Sequence, residues 1–170
     1  ASLGDYVFID NNYDGIQDGS DSPAEGITVE LLKNGSVIAS QTTDANGAYL
    51  FENLTPGEYQ VQFTSPDGFE FTLANVGDDN ADSDADANGL TQSVTLTPGE
   101  NNLSLDAGLV ELASLGDFIF IDNNYEGIQD GGDSPAEGVT VELIENGSVI
   151  ASQTTDANGA YLFEDLTPGD

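Results

Sequence analysis

The chain repeats itself. Residues 1–5 return as residues 113–117, an offset of 112, and the match runs without a gap until Thr167, Pro168, Gly169 and Asp170 align with Thr55, Pro56, Gly57 and Glu58. Nine of the 58 aligned positions differ, mostly by conservative changes such as Tyr6/Phe118, Val7/Ile119, Asp14/Glu126, Ile27/Val139 and Leu32/Ile144. A fixed long period of this kind means a row of similar folded units rather than one large domain. Residues 1–112 read as one complete unit. Residues 113–170 read as the first half of a second, with the counterparts of 59–112 missing. Half a β unit cannot close a core, so the expectation is a window on a longer array. Completion of the half unit by strands of a neighbouring chain is the alternative.

The first unit reads as all-β. Apolar or alternating runs predict strands over 3–9, 27–32, 37–42, 48–54, 59–64, 69–73, 90–96 and 103–109. Asn34-Gly35 suits a tight hairpin needing positive φ. Thr55–Glu58 and Thr97–Glu100 place Pro and Gly where a type II turn wants them. No segment sustains a helical period. Short strands at this density predict two packed antiparallel sheets, a β-sandwich. Alternation puts Tyr49 with Phe51 on one face, and likewise Tyr59, Val61 and Phe63, and Phe69, Phe71 and Leu73. These rows are assigned to the core rather than to a ligand platform. Between the units, Asp106–Asp117 contains no flexible spacer, which predicts close coupling of successive units and a stiff rod.

Composition removes several function classes. Thirty-two carboxylates stand against one lysine, with no arginine or histidine, for a formal net charge of −31. Nothing here can neutralise phosphates, so nucleic acid and anionic membranes are excluded as partners. Acidity at this level also suggests disorder, but 38% hydrophobic residues in well-patterned strands argue for a fold. There is no cysteine, hence no disulfide, and no apolar run near the ~18 residues of a membrane span. A halophilic surface would be acidic too, so the arrangement of the acids has to decide.

That arrangement is specific. In Asp10–Asp21, oxygen-bearing side chains fall at loop positions 1, 3, 5, 9 and 12, namely Asp10, Asn12, Asp14, Asp18 and Asp21. Gly15 holds the sharp sixth position and Ile16 the seventh, where a backbone carbonyl serves. This matches the calcium loop of EF-hand sites except for Asp at the twelfth place. The flanks depart from an EF-hand, because a strand leads in and Ser22-Pro23 follows. The second unit repeats the pattern as Asp122, Asn124, Glu126, Ile128, Asp130 and Asp133. A second acidic run, 78–88, offers Asp78, Asp82, Asp84 and Asp86 as further candidate ligands. Asp44–Gly47 reads either as a hairpin turn or as lending Asp44 to a neighbouring site, and Asp5, placed just before the first strand, could reach a loop ion. Calcium, two or more ions per complete repeat, is favoured over magnesium because many flexible oxygens converge. Zinc, copper and iron would want His or Cys. Four Asn-x-Ser/Thr sequons, at Asn34, Asn53, Asn102 and Asn146, carry little weight in a chain so rich in Asn and Thr.

Residues 4–18, 43–54, 78–86 and 106–109 together resemble a B-type repeat of the serine-aspartate repeat adhesins of bacterial surfaces, a family related to the B domains of collagen adhesins. The resemblance covers the first unit and all of the second. It implies a Greek-key sandwich that binds several calcium ions per repeat and serves as a stalk or spacer. Related B domains often carry a Lys–Asn cross-link. This sequence departs from that, since its only lysine, Lys33, becomes Glu145 in the next unit.

The functional expectation is therefore structural: a calcium-stabilised repeat of a stiff extracellular stalk or filament on a bacterial surface. Its partners would be neighbouring repeats of the same chain and other copies in a fibre. A multivalent binding module for a polysaccharide or host protein is the alternative. An enzyme is set aside, because the acids cluster in turns instead of facing one another across a cleft.

Overall fold

A computed structural model describes residues 1–169. Among them there is no helix, and the chain divides into two compact units, Ala1–Glu111 and Leu112–Asp170.

The first unit has ten strands: β1 (Ser2–Ile9), β2 (Ser22–Pro23), β3 (Thr28–Lys33), β4 (Ser36–Thr42), β5 (Ala48–Phe51), β6 (Gly57–Phe63), β7 (Phe69–Phe71), β8 (Val94–Leu96), β9 (Asn101–Asn102) and β10 (Ala107–Glu111). One sheet runs β2-β1-β10-β7, with β5 and β9 also paired to β1; the other runs β4-β3-β6-β8. The β3–β4 hairpin turns on Asn34 (φ 52°) and Gly35 (φ 72°), the two left-handed residues that such a turn requires.

The sheets are not purely antiparallel. β10 lies parallel to β1, with Val7 opposite Ala107 and Ile9 opposite Leu109, and β9 is parallel to β1 as well. First and last strands of the unit run the same way because long connections, not hairpins, bring the chain back.

Alternation places the core between the sheets. Leu3 and Val7 of β1, Val29 and Leu31 of β3, and Val61 and Phe63 of β6 are buried together with Leu105 and Leu109. The Tyr49 ring meets Phe63 edge-on at 5.5 Å across the two layers, an arrangement aromatic quadrupoles favour. The row expected at 69–73 is shallower. Phe69 and Phe71 are half-buried and Leu73 is exposed, because the strand ends at Phe71 and the chain turns away to meet the acidic segment that follows.

Two further expectations change. Asp5 lies within β1, in keeping with the strand predicted over 3–9 and not with a place just before it. Thr97–Glu100 closes as a turn, with the Glu100 N–H on the Thr97 carbonyl and Gly99 at φ 78°. Gly57 instead opens β6 at φ 151°, while the Thr55 carbonyl accepts the Tyr59 hydroxyl at 2.6 Å.

The second unit holds β11 (Ala113–Phe118), β12 (Phe120–Ile121), β13 (Ser134–Pro135), β14 (Thr140–Glu145), β15 (Ser148–Thr154) and β16 (Ala160–Leu166), paired as β11–β16, β12–β13 and β14–β15. Several of its apolar residues are far more exposed than their counterparts, Leu115 being 53% exposed where Leu3 is fully buried, while Ala136, Thr155 and Phe163 stay buried. In the first unit, the covering side chains come from β6, β8 and β10.

Candidate metal centre

Asp10 directly follows β1 and is buried. Its Oδ1 accepts the N–H groups of Asn12 and Asp14, and its Oδ2 those of Gly15 (2.8 Å) and the Thr72 hydroxyl (2.6 Å). Asp14 Oδ1 accepts Ile16 N–H, Asp18 Oδ1 accepts Ser20 N–H, and Asp21 accepts Asn11 and Asp18 N–H. The loop is thus wound around its carboxylates, as short acidic side chains do wherever backbone donors lack strand partners. Gly15 sits at φ 78°, and a Cβ there would lie 2.6 Å from the Leu73 carbonyl oxygen.

The two acidic segments meet. Ile16 forms an isolated bridge with Asp82; the Gln17 N–H goes to Ala81 O and the Ser83 N–H to Gly15 O. Residues 82–85 are buried between this loop on one side and the start of β10 on the other. On that second side the Asp84 N–H donates to Asp106 O and the Gly108 N–H to Ser83 Oγ.

Here the carboxylates converge. Among the described residues one group of three acids, Asp79, Asp82 and Asp84, brings an oxygen from each within 4.8 Å of the others. Burial raises the pKa of Asp82, and the charge of Asp79 adds to it. Burial pushes Asp84 up to about 7 and Asp106 to about 8, with Asp5 the largest neighbouring charge acting on Asp106. Asp106 Oδ1 accepts Tyr6 N–H; its Oδ2 is buried with no hydrogen-bond partner. The only basic side chain, Lys33, is engaged elsewhere, donating to Thr55 Oγ1 and Tyr59 Oη. Buried carboxylates with no cationic side chain and an orphaned oxygen fit a hard cation that takes oxygen donors.

The family model and the curated relatives agree on what kind of unit this is. The family model described as the SdrD B-like domain matches residues 1–109 and again 113–170. The chain belongs to the SdrD B-like domain family. Among curated relatives, serine-aspartate repeat-containing protein F of Staphylococcus epidermidis is 42% identical across 99% of the chain, which spans 10% of that protein. Protein C of Staphylococcus aureus strain Newman is 41% identical across 99% of the chain and 18% of the relative. Solved structures to which the chain is similar include a streptococcal ancillary pilin, with TM-score 0.46 and 15% identity over 97% of this chain and 50% of that one. The shaft pilin SpaA of Lactobacillus rhamnosus GG is another, with TM-score 0.40 and 14% identity over 99% and 82%.

Within this SdrD B-like domain, the residues singled out by spacing fall into distinct settings. Asp82 and Asp84 are in the convergent group. Asp78 and Asp86 are exposed and outside it: Asp78 Oδ1 accepts Asn80 N–H, and Asp86 Oδ1 accepts Asn88 and Leu90 N–H. Asp44 and Asp156 make the same turn as Asp86, each followed by Ala, Asn and Gly. In the second SdrD B-like unit, Asp122 accepts the N–H groups of Asn124, Glu126 and Gly127, while Asn124, Glu126, Ile128 and Asp130 are exposed and Asp133 is half-buried. Spacing missed Asp79 and Asp106. Asp106 could have been found, since it is the one acid in the strand candidate 103–109.

Proposed function

We propose that this chain is a spacer module of a bacterial cell-surface protein, and that divalent calcium completes its fold. The observation that carries the reading is the set of buried, mutually close carboxylates, Asp82 and Asp84 with exposed Asp79 beside them and Asp106 behind, in a unit whose one lysine lies elsewhere. Asp79, Asp82 and Asp84 would hold one ion. The loop acids Asp10, Asp14, Asp18 and Asp21, with Asn12 and the Ile16 carbonyl, remain the candidates for a second, and Asp122, Asn124, Glu126, Ile128, Asp130 and Asp133 for its repeat. A bound ion supplies the positive charge that these oxygens otherwise lack.

The benefit is thermodynamic. A ligand bound by the folded state alone stabilises it by about 2.7 kcal/mol at a hundredfold excess over Kd, large beside a total stability of roughly 5–15 kcal/mol. Extracellular modules manage with Kd values of about 10⁻⁴–10⁻³ M, which suits a location outside the cell. Near-identical units repeated in sequence suit a spacer, with neighbouring units as partners; the acids line turns, not a catalytic cleft. Isothermal titration of chelator-stripped protein with calcium tests the reading. Saturable binding that weakens at least tenfold in Asp82→Asn and Asp84→Asn supports it. Heats no larger than dilution overturn it.

A further inference from the structure

The sequence contains five Asn-Gly steps, at Asn34, Asn46, Asn88, Asn146 and Asn158. In such a step the glycine nitrogen can attack the asparagine Cγ. A C–N bond forms, the side-chain nitrogen leaves as ammonia, and a five-membered succinimide results. Water then opens either carbonyl, giving aspartate or isoaspartate. The reaction needs an accessible, uncommitted glycine N–H and room for the side chain to fold over it.

The fold sorts the five steps into two classes. Gly47, Gly89 and Gly159 are buried, and each donates its N–H to the carbonyl of the aspartate three residues earlier, at 2.9, 2.8 and 2.9 Å. The asparagine before each has its own N–H tied to that same aspartate's Oδ1. Asn34-Gly35 and Asn146-Gly147 sit exposed at the tips of the β3–β4 and β14–β15 hairpins. Among the described residues none accepts the Gly35 or Gly147 N–H, and the space beside both glycines is open to 4 Å.

We propose that Asn34 and Asn146 are sites of spontaneous deamidation through a succinimide, while the fold protects the other three steps. Each event adds one negative charge at a hairpin tip. The isoaspartyl product also lengthens the main chain by one methylene inside a two-residue turn whose residues sit at φ 52° and 72°, loosening the Lys33–Ser36 pairing. Hairpin tips then carry a record of a module's age.

The test is peptide mapping by mass spectrometry of the whole chain held folded in warm, mildly alkaline buffer, with a parallel sample in urea. Releasing one hydrogen bond is worth about a factor of five in an opening equilibrium, so Asn34 and Asn146 should gain the amide-to-acid mass about fivefold faster than Asn46, Asn88 and Asn158. In urea the spread should collapse. Equal rates in the folded protein, or earlier reaction at Asn46, Asn88 or Asn158, would overturn the proposal. So would an unchanged hierarchy in urea, which assigns the order to local sequence and not to the fold.

Discussion

Asp84 and Asp106 are bonded twice through the backbone: the Asp84 N–H donates to Asp106 O and the Asp106 N–H to Asp84 Oδ2, both at 2.8 Å. The pairing fixes two acids side by side in the interior, where burial raises both pKa values. A folded state that holds like charges this close needs either protons or a cation. Metal removal and pH separate the two.

Replacing one of the charges should have opposite effects in the two conditions. Asp106→Asn keeps an acceptor for Tyr6 N–H but removes a buried carboxyl with an orphaned oxygen. With chelator at neutral pH, the variant should melt above the parent chain, because no carboxyl has to be held protonated far above its ordinary pKa in order to fold. With calcium in excess, it should melt below the parent. Thermal melts of both proteins in both buffers check this.

The pH dependence should change sign with calcium. Without metal, Asp84 and Asp106 titrate near 7 and 8 in the folded chain, against about 4 when unfolded. Between those values the folded state holds more protons, so stability falls as pH rises, and chelated protein melts higher at about pH 5 than at about pH 8. Asp44, Asp86, Asp122 and Asp156 are held below the usual range by backbone donors. Their contribution is present above the unfolded value and is lost only as pH falls through the folded one. With calcium, protons compete for the same oxygens, and stability falls as pH is lowered. Calorimetry at the two pH values should show opposite slopes; matching slopes count against the account.

The acidic loop depends on a buried hydroxyl. Thr72 Oγ1 donates to Asp10 Oδ2 at 2.6 Å, and Thr72→Val removes the donor with little change of shape. Hydrogen bonds to charged groups contribute about 1.5–3 kcal/mol, so urea unfolding in calcium should show a loss of that order for the first unit. An unchanged midpoint would mean that the loop is organised some other way.

At Gly15, left-handed backbone and a close carbonyl coincide. Gly15→Ala should cost about 1–2 kcal/mol from the backbone alone, and calcium affinity should drop because the 15–17 segment can no longer bridge to 81–83. Melting temperature and calorimetric Kd should move together; a change in neither would rule out this role for the turn.

Much of this was legible in the sequence, and the failures are physical. Tyr49, Phe51, Tyr59, Val61 and Phe63 alternate on strands that face one core, so their burial follows from period alone. Asn34-Gly35 names its own turn. The parallel pairing of β10 with β1 could not be read locally, because register between strands a hundred residues apart is set by packing. Spacing in the acidic loops shows where oxygens are plentiful, but not which ones meet. Asp79 looks like its neighbours in a run of acids, and it is the turn at Asp78, whose carbonyl accepts the Ala81 and Asp82 N–H groups, that sets it beside Asp82 and Asp84. Asp86 looks equally suitable by spacing, yet it lies outside that group, with its Oδ1 accepting the Asn88 and Leu90 N–H groups.

If a cation neutralises the acids gathered around Asp82 and Asp84, its removal must cost the first unit stability. Thermal unfolding of one sample at neutral pH, first with calcium, then with excess chelator, then with calcium restored, measures that cost. Chelation should produce a large, reversible fall in melting temperature. An identical melting temperature in all three scans would mean that no cation neutralises these acids.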